Sequence, residues 1–155
     1  MRGKQAPKRY INPDPKHARV DVAKFVNYVM ESGKKATAQR VVYGAFDIIA
    51  EKTKKDPMEV FDAAMKNVSP LLEVKSKRVG GANYQIPMQV RAERRVQLAY
   101  RWMLAAARAT KGKPMAQRLA QEIISAAEGV GEAVKKKQDV QRMAEANRAF
   151  AHFAR

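Results

Sequence analysis

Apolar residues recur at helical spacing along most of the chain. Val22, Phe25, Val26 and Val29 stand at positions i, i+3, i+4 and i+7, the pattern of a helix with one buried face. A capping aspartate followed by proline at residues 56–57 marks another helix start. The pattern predicts six helices, over residues 20–30, 36–53, 57–68, 92–109, 114–128 and 132–150.

The periodicity changes from helical to alternating between the third and fourth helices. Apolar residues there occupy every second position on both sides of a turn-forming stretch at residues 79–83. We therefore predict a β-hairpin over residues 72–90. Its tip consists of Gly80, Gly81, Ala82 and Asn83. Because an isolated two-stranded hairpin is only marginally stable, its base should rest on the helical body while its tip projects.

Residues 1–19 differ from the rest of the chain. They contain three prolines, and their apolar residues are too scattered to form a helix face. We expect a basic, extended N-terminal arm over residues 1–19 that leads into a single helical domain over residues 20–155. The predicted fold class is mainly α, with a six-helix, bundle-like body and one projecting β-hairpin.

Positive charge is unevenly distributed along the sequence. The 155 residues include 31 lysines and arginines against 15 acidic residues, which gives a formal charge of +16. Residues 1–19 carry +5 and residues 72–113 carry +8, whereas residues 20–71 carry +1 and residues 114–155 carry +2. A solvated surface usually mixes both signs. The concentration of charge therefore indicates that the arm and the middle segment contact a polyanion.

The composition excludes several other classes of function. The chain has no cysteine and only two histidines, so we expect no disulfide, no metal site and no cofactor, and we find no catalytic motif. The longest apolar run, residues 102–107, is far shorter than the roughly 20 residues of a membrane helix. The first ten residues lack the apolar segment of a signal peptide, so we expect the protein to stay where it is made. We interpret it as a non-enzymatic protein without a membrane or small-molecule partner.

Three arginines form a ridge on the predicted fourth helix. Arg94, Arg101 and Arg108 are seven residues apart, which displaces each by only about 20° around a helix. The alternative is a solvated face, but such faces usually pair arginine with an acidic residue at i+4, and this helix contains only Glu93. Guanidinium groups without an acidic partner suit phosphate oxygens, so we favour phosphate contact. We assign Trp102, on another arc of this helix, to the core.

Basic residues near two predicted turns are further candidates. Lys75, Lys77 and Arg78 precede the glycines of the hairpin, where they either protect a strand edge or enter a nucleic-acid groove. Lys34 and Lys35 follow one helix end and precede the next helix. Backbone N–H groups and two ammonium groups can meet a phosphate there, and the alternative is a solvated loop.

Four stretches of sequence occur in the order typical of one protein family. They are INPDPK at residues 11–16, AKFVN at 23–27 leading to GKK at 33–35, VKSKRVGG at 74–81, and RMAEANRAFAH at 142–152. In these stretches the chain resembles the family of small-subunit ribosomal protein number seven. The resemblance covers nearly the whole chain, and the length resembles the bacterial and plastid branch.

The resemblance implies a non-enzymatic constituent of the small ribosomal subunit. Members of that family bind the 3′ major, or head, domain of small-subunit rRNA and nucleate assembly of the head. Their hairpin lies near the exit-site tRNA and the mRNA path, and their last helix contacts small-subunit ribosomal protein number eleven. We expect a cytoplasmic location in the ribosome of a bacterium, with a plastid as the alternative.

The resemblance and the charge pattern together define a set of expected rRNA contacts. The candidate rRNA-binding residues are Lys8, Arg9, Lys34, Lys35, Lys75, Lys77, Arg78, Arg91, Arg94, Arg95, Arg101, Arg108, Lys111, Lys113, Lys136 and Arg142. The main alternative function is a helical DNA-binding regulator or architectural protein, because basic helices and ribbons also enter DNA grooves.

Overall fold

The structure is a computed structural model that describes residues 3, 6–7 and 9–154, with only the backbone of Val79 and Ala154. The chain forms two compact units, Met1–Arg40 and Val41–Arg155. The boundary falls within the second helix. The predicted division into an arm over residues 1–19 and a single domain over residues 20–155 stays a prediction.

The first unit combines an irregular segment with one helix. The described residues up to Arg19 contain no helix or strand, apart from a turn whose buried Asp14 carboxylate accepts hydrogen bonds from the backbone N–H groups of Lys16 and His17, both at 3.1 Å. Helix α1 (Val20–Val29) follows. The apolar face expected from its spacing, Val22, Phe25, Val26 and Val29, is buried, and so is Ala23.

The second unit contains most of the helices. The further α-helices of the described chain are α2 (Lys35–Thr53), which begins in the first unit, α3 (Pro57–Val68), α4 (Ala92–Ala109), α5 (Met115–Ala127) and α6 (Glu132–Ala146). As predicted, Asp56 caps α3, accepting a hydrogen bond from the Met58 N–H at 3.0 Å. Helix α5 packs against α3 and α4. The rings of Phe46 and Phe61 meet edge to face in the core, with centroids 5.6 Å apart.

The predicted hairpin is present, with a shorter turn than expected. Strands β1 (Leu72–Val79) and β2 (Ala82–Gln89) pair antiparallel, with Val79 opposite Ala82. The turn is Gly80-Gly81 alone, and both glycines have positive φ, 60° and 90°, as a type I′ hairpin turn requires. Ala82 and Asn83, which we expected in the tip, instead belong to β2.

The hairpin contacts the rest of the second unit along more than its base. Helix α6 contacts both strands, and β2 packs against a C-terminal 3₁₀-helix (Arg148–Ala154). Tyr84 is only three residues from the turn. Its ring centroid lies 5.1 Å from that of Phe150 and 5.8 Å from that of Phe153. The hairpin therefore contacts the body close to its turn as well as at its base, and not at the base alone as we expected.

The last predicted helix ends earlier than expected. It stops at Ala146 instead of residue 150, because the Asn147 side-chain amide donates to the Met143 carbonyl at 2.8 Å and the chain then tightens into the 3₁₀-helix. Ala144 is buried, whereas its neighbour Met143 is 47% exposed. Trp102, expected in the core, is only partly buried.

Candidate nucleic-acid interface

Three of the expected rRNA-binding residues are exposed on the first unit. Arg9, Lys34 and Lys35 are all exposed, and none forms an ion pair with an acidic side chain of the described residues. The two lysines stand where a loop containing left-handed Ser32 and Gly33 (φ 52° and 73°) leads into α2. Lys8 lies outside the described residues.

Two of the three ridge arginines on α4 project into solvent. Arg101 and Arg108 are exposed, whereas Ala99, Met103 and Ala106 are buried. The helix therefore separates a packed side from a basic side, as its spacing predicted. No acidic side chain of the described residues pairs with Arg101.

Arg94 departs from the expected ridge. Its Nε lies 3.3 Å from Oε2 of Glu73 on β1, and its side chain is only 40% exposed. The expectation that the ridge has no acidic partner is therefore wrong at this position. The partner comes from a strand 21 residues earlier in the chain and not from the i+4 position of the helix.

Two neighbouring arginines at the start of α4 also differ from one another. Arg91 is exposed at the N-cap position, where it is available to a ligand. Arg95 is half-buried, and its Nε donates to the Val90 carbonyl at 3.0 Å. This hydrogen bond stabilises the segment that connects the hairpin to α4.

The three basic residues of β1 do not share one face. Lys75, Lys77 and Arg78 are exposed, but side chains alternate along a strand, so Arg78 lies on the face opposite the two lysines. The Lys77 Nζ donates to the Phe153 carbonyl at 3.0 Å. Lys77 therefore helps to attach the hairpin to the C-terminal 3₁₀-helix, a contact that sequence spacing does not show.

The remaining candidates lie in the loop after α4 and on α6. Lys111 and Lys113 are exposed on either side of Gly112, whose φ is 83°. Lys136 is exposed and has no ion pair within the described chain. Arg142 is exposed, with its Nη1 3.7 Å from Oδ1 of Asp139.

Some basic side chains have structural roles that the sequence did not indicate. Lys137 donates from Nζ to the Asn67 carbonyl at 2.6 Å and so attaches α6 to the end of α3. Arg118 donates from Nη1 to the Thr110 carbonyl at 2.6 Å, across the turn between α4 and α5. Their only sequence signal is a charge on a half-buried helix face, which does not identify a carbonyl partner.

The chemistry of these surfaces is that of phosphate binding. Exposed guanidinium and ammonium groups donate hydrogen bonds, which phosphate oxygens accept. Their fixed positive charge also attracts the negative charge of the phosphate. Within the described residues there is no cluster of three or more histidine, aspartate or glutamate side chains arranged to hold a metal ion. The described helices include none that is long and apolar enough to cross a bilayer.

These features define a class, a mainly helical protein with exposed basic surfaces suited to a nucleic acid. A family model described as "Ribosomal protein S7p/S5e" matches residues 1–148, and the chain belongs to this family. The membership confirms the resemblance found in the sequence motifs.

Curated relatives match almost from end to end. The chain is 61% identical to the small ribosomal subunit protein uS7 of Dechloromonas aromatica, over 98% of this chain and 97% of the relative. It is 60% identical to the uS7 proteins of Thermotoga petrophila and Thermotoga maritima, over 99% of each chain. The family is a structural, non-enzymatic component of the ribosome, so the protein is a structural constituent of the small subunit that binds its rRNA. The relatives are bacterial, which places it in the cytoplasmic ribosome.

Proposed function

We propose that the chain binds the 3′ major domain of small-subunit rRNA and nucleates assembly of the head. The observation that carries the proposal is the excess of exposed cations over acids between β1 and the loop after α4. Residues 72–113 include only two acidic side chains, and one of them, Glu73, is already paired with Arg94. The charge of Arg91, Arg101 and Lys111 is therefore left to an external polyanion.

The hairpin turn is suited to a crowded RNA environment. Gly80 and Gly81 have no side chains, and Arg78 and Asn83 next to them are exposed. A backbone can therefore approach another molecule closely at this point. We propose that the turn lies near the exit-site tRNA and the mRNA path.

The outer side of α6 offers a surface for a protein neighbour. Met143 is 47% exposed, and the side chains of its polar neighbours on the helix, Arg142 and Asp139, are 79% and 48% exposed. An apolar side chain surrounded by polar ones is typical of the centre of a small protein interface. We propose that small-subunit ribosomal protein number eleven contacts this surface.

Chemical footprinting of naked small-subunit rRNA tests the main proposal. The full chain should protect nucleotides of the 3′ major domain and leave the 5′ and central domains unchanged. Protection confined to another domain, or spread over all of them, would contradict the proposal.

Competition at matched salt separates RNA recognition from general binding to duplexes. An rRNA junction fragment from the head should displace a labelled copy of itself far better than duplex DNA of equal length does, because shape and phosphate geometry differ between the two. Equal displacement by DNA would favour the alternative of a DNA-binding protein.

A further inference from the structure

The first unit contains a cavity of about 500 Å³ that is lined mostly by uncharged residues. It is formed by residues 9–15, by α1 and by the first turns of α2. Cavities of roughly 300 to 1,000 Å³ are typical of small-ligand sites, so this one has room for a single nucleotide.

Three residues with amide side chains line this cavity. Asn12, Asn27 and Gln39 all line it. None of the three makes a side-chain hydrogen bond within the part of the chain that the structure describes, although Asn27 and Gln39 are half-buried. An amide offers both donors and an acceptor. Half-buried amides without an internal partner point to a ligand that presents donors and acceptors together, as the edge of a nucleobase does.

The rest of the lining suits the other parts of a nucleotide. Tyr10 is 87% exposed and lines the cavity, so its ring is available for stacking on a base. Arg9 and Lys35 supply positive charge for a phosphate. Asp14 also lines the cavity, but its carboxylate is buried and accepts the hydrogen bonds from Lys16 N and His17 N.

We propose that this cavity holds one unstacked nucleotide of the bound RNA. The amides contact the base edge, Tyr10 stacks on the base, and Arg9 and Lys35 contact the adjacent phosphate. The site rests on the proposed function, because it presupposes that the chain binds rRNA. It adds to that function a contact that depends on an extruded base and not only on phosphate positions.

Binding of the full chain to three kinds of matched RNA hairpin tests the site. The first kind is fully paired, the second has a single-nucleotide bulge and is made in four versions, one for each base, and the third has the same bulge without its base. We expect the best bulged hairpin to bind about 5- to 150-fold more tightly than the paired and the abasic hairpins, which is the range of one stacked base. Equal affinity for the intact and the abasic bulge would overturn the site.

Variants assign the preference to the cavity. Tyr10→Ala and Gln39→Ala should each reduce the bulge preference severalfold without changing affinity for the fully paired hairpin. Gln121→Ala, the same kind of change on the exposed side of α5, should leave both affinities unchanged. A preference for the bulge that survives Tyr10→Ala and Gln39→Ala would overturn the site while leaving the proposed function intact. Failure of the unmodified chain to bind any of the hairpins or the head rRNA would overturn the proposed function, and the site with it.

Discussion

Glu122 shows how one buried side chain joins two helices. It lies on α5, and its Oε1 accepts a hydrogen bond from the Ala133 N–H in the first turn of α6 at 2.9 Å. The N-cap residue, Gly131, has no side chain to do this. Gly131 has φ 117°, and a Cβ there would lie 3.1 Å from Glu122 Oε1. A charged group from another helix thus replaces the local cap that the sequence lacks.

The ionisation of Glu122 couples this contact to pH. Burial raises the pKa of Glu122, the hydrogen bond from Ala133 opposes the rise, and the nearby charge of Glu132 adds to it. A carboxyl group whose pKa is raised on folding makes the folded state less stable above that pKa. As the pH falls toward the ordinary value of 4.5, the folded chain takes up a proton before the unfolded chain does, and this penalty disappears.

We expect Glu122→Gln to change stability in a pH-dependent way. Glutamine keeps an oxygen for the Ala133 N–H but cannot ionise. The variant should therefore gain stability relative to the wild type at pH 7 and lose that advantage near pH 4.5. Urea unfolding of both proteins at the two pH values measures the difference. A difference that does not depend on pH would show that the carboxyl titrates as an ordinary glutamate.

Glu122→Ala is the matched control for the hydrogen bond itself. It leaves the buried Ala133 N–H without its partner at both pH values. We expect a loss of about 1–3 kcal/mol in the free energy of unfolding, the usual cost of such a group.

Arg101 permits a clean test of phosphate contact. Because it is exposed and has no acidic partner in the described chain, Arg101→Gln should weaken rRNA binding with little effect on stability. The slope of log affinity against log salt should become shallower by about 0.9 or less for one lost phosphate contact. Affinities measured between low and moderate salt give this slope directly.

Two further variants make the Arg101 result specific. Lys66→Gln removes one exposed charge from α3, outside the expected interface, and should leave the slope unchanged. Arg94→Gln differs from Arg101→Gln in its effect on stability. It should lower the free energy of unfolding by less than about 1 kcal/mol, because it breaks the ion pair with Glu73. Equal slopes for wild type and Arg101→Gln would mean that this arginine is only solvated.

At the level of elements, local signals predicted most boundaries correctly. Helix α4 begins and ends where its periodicity predicted, and α3 begins after the capping Asp56. The end of α6 was missed because its cause is only partly local. The Asn147 amide competes for a helix carbonyl, and the following residues turn so that Phe150 and Phe153 reach Tyr84, more than 60 residues away in sequence. Periodicity cannot show such a contact.

Tyr84 should decide how firmly the hairpin is held. In Tyr84→Ala the ring contacts with Phe150 and Phe153 are lost, while the strand pairing and the turn remain. Aromatic pairs contribute about 0.5–1.5 kcal/mol beyond their burial, so amide hydrogen exchange in β1 and β2 should become about 2- to 10-fold faster.

The neighbouring Gln85 provides the control for Tyr84. It is exposed, and Gln85→Ala should leave the exchange rates of both strands as they are. Exchange in the helices should stay unchanged in both variants. If the helices of the Tyr84→Ala protein also exchanged faster, the ring would belong to the main core and not to a separate hairpin anchor.

At the scale of the whole molecule, the sequence shows where the basic residues lie but not which of them are available to RNA. The basic segments were correctly placed on exposed surfaces, as Arg91, Arg101 and Lys111 show. The sequence could not tell these residues from Lys77 and Lys137, whose ammonium groups donate to carbonyls of distant segments. It also gave no sign of the cavity in the first unit, since amides separated by 12 to 15 residues carry no recognisable pattern. Only the folded chain distinguishes structural cations from those available to RNA.

Shortening the hairpin separates its role in the particle from the stability of the fold. Lys77 and Tyr84 face each other, so replacing residues 78–83 with Asn-Gly gives a two-residue turn directly beyond that pair. The Tyr84 contacts with the C-terminal 3₁₀-helix are kept. The helical circular dichroism signal and the melting temperature should therefore stay close to those of the wild type.

Ribosomes that contain the shortened protein should assemble but bind exit-site tRNA less well and lose reading frame more often, because the proposed contact near tRNA and mRNA is gone. Gly80-Gly81→Asn-Gly is the control, since it introduces the same turn sequence at the end of a hairpin of full length. Normal tRNA binding and frame maintenance with the shortened hairpin would contradict its proposed position. Loss of the helical signal would instead show that the outer hairpin stabilises the fold, and the control would show whether the turn sequence alone is responsible.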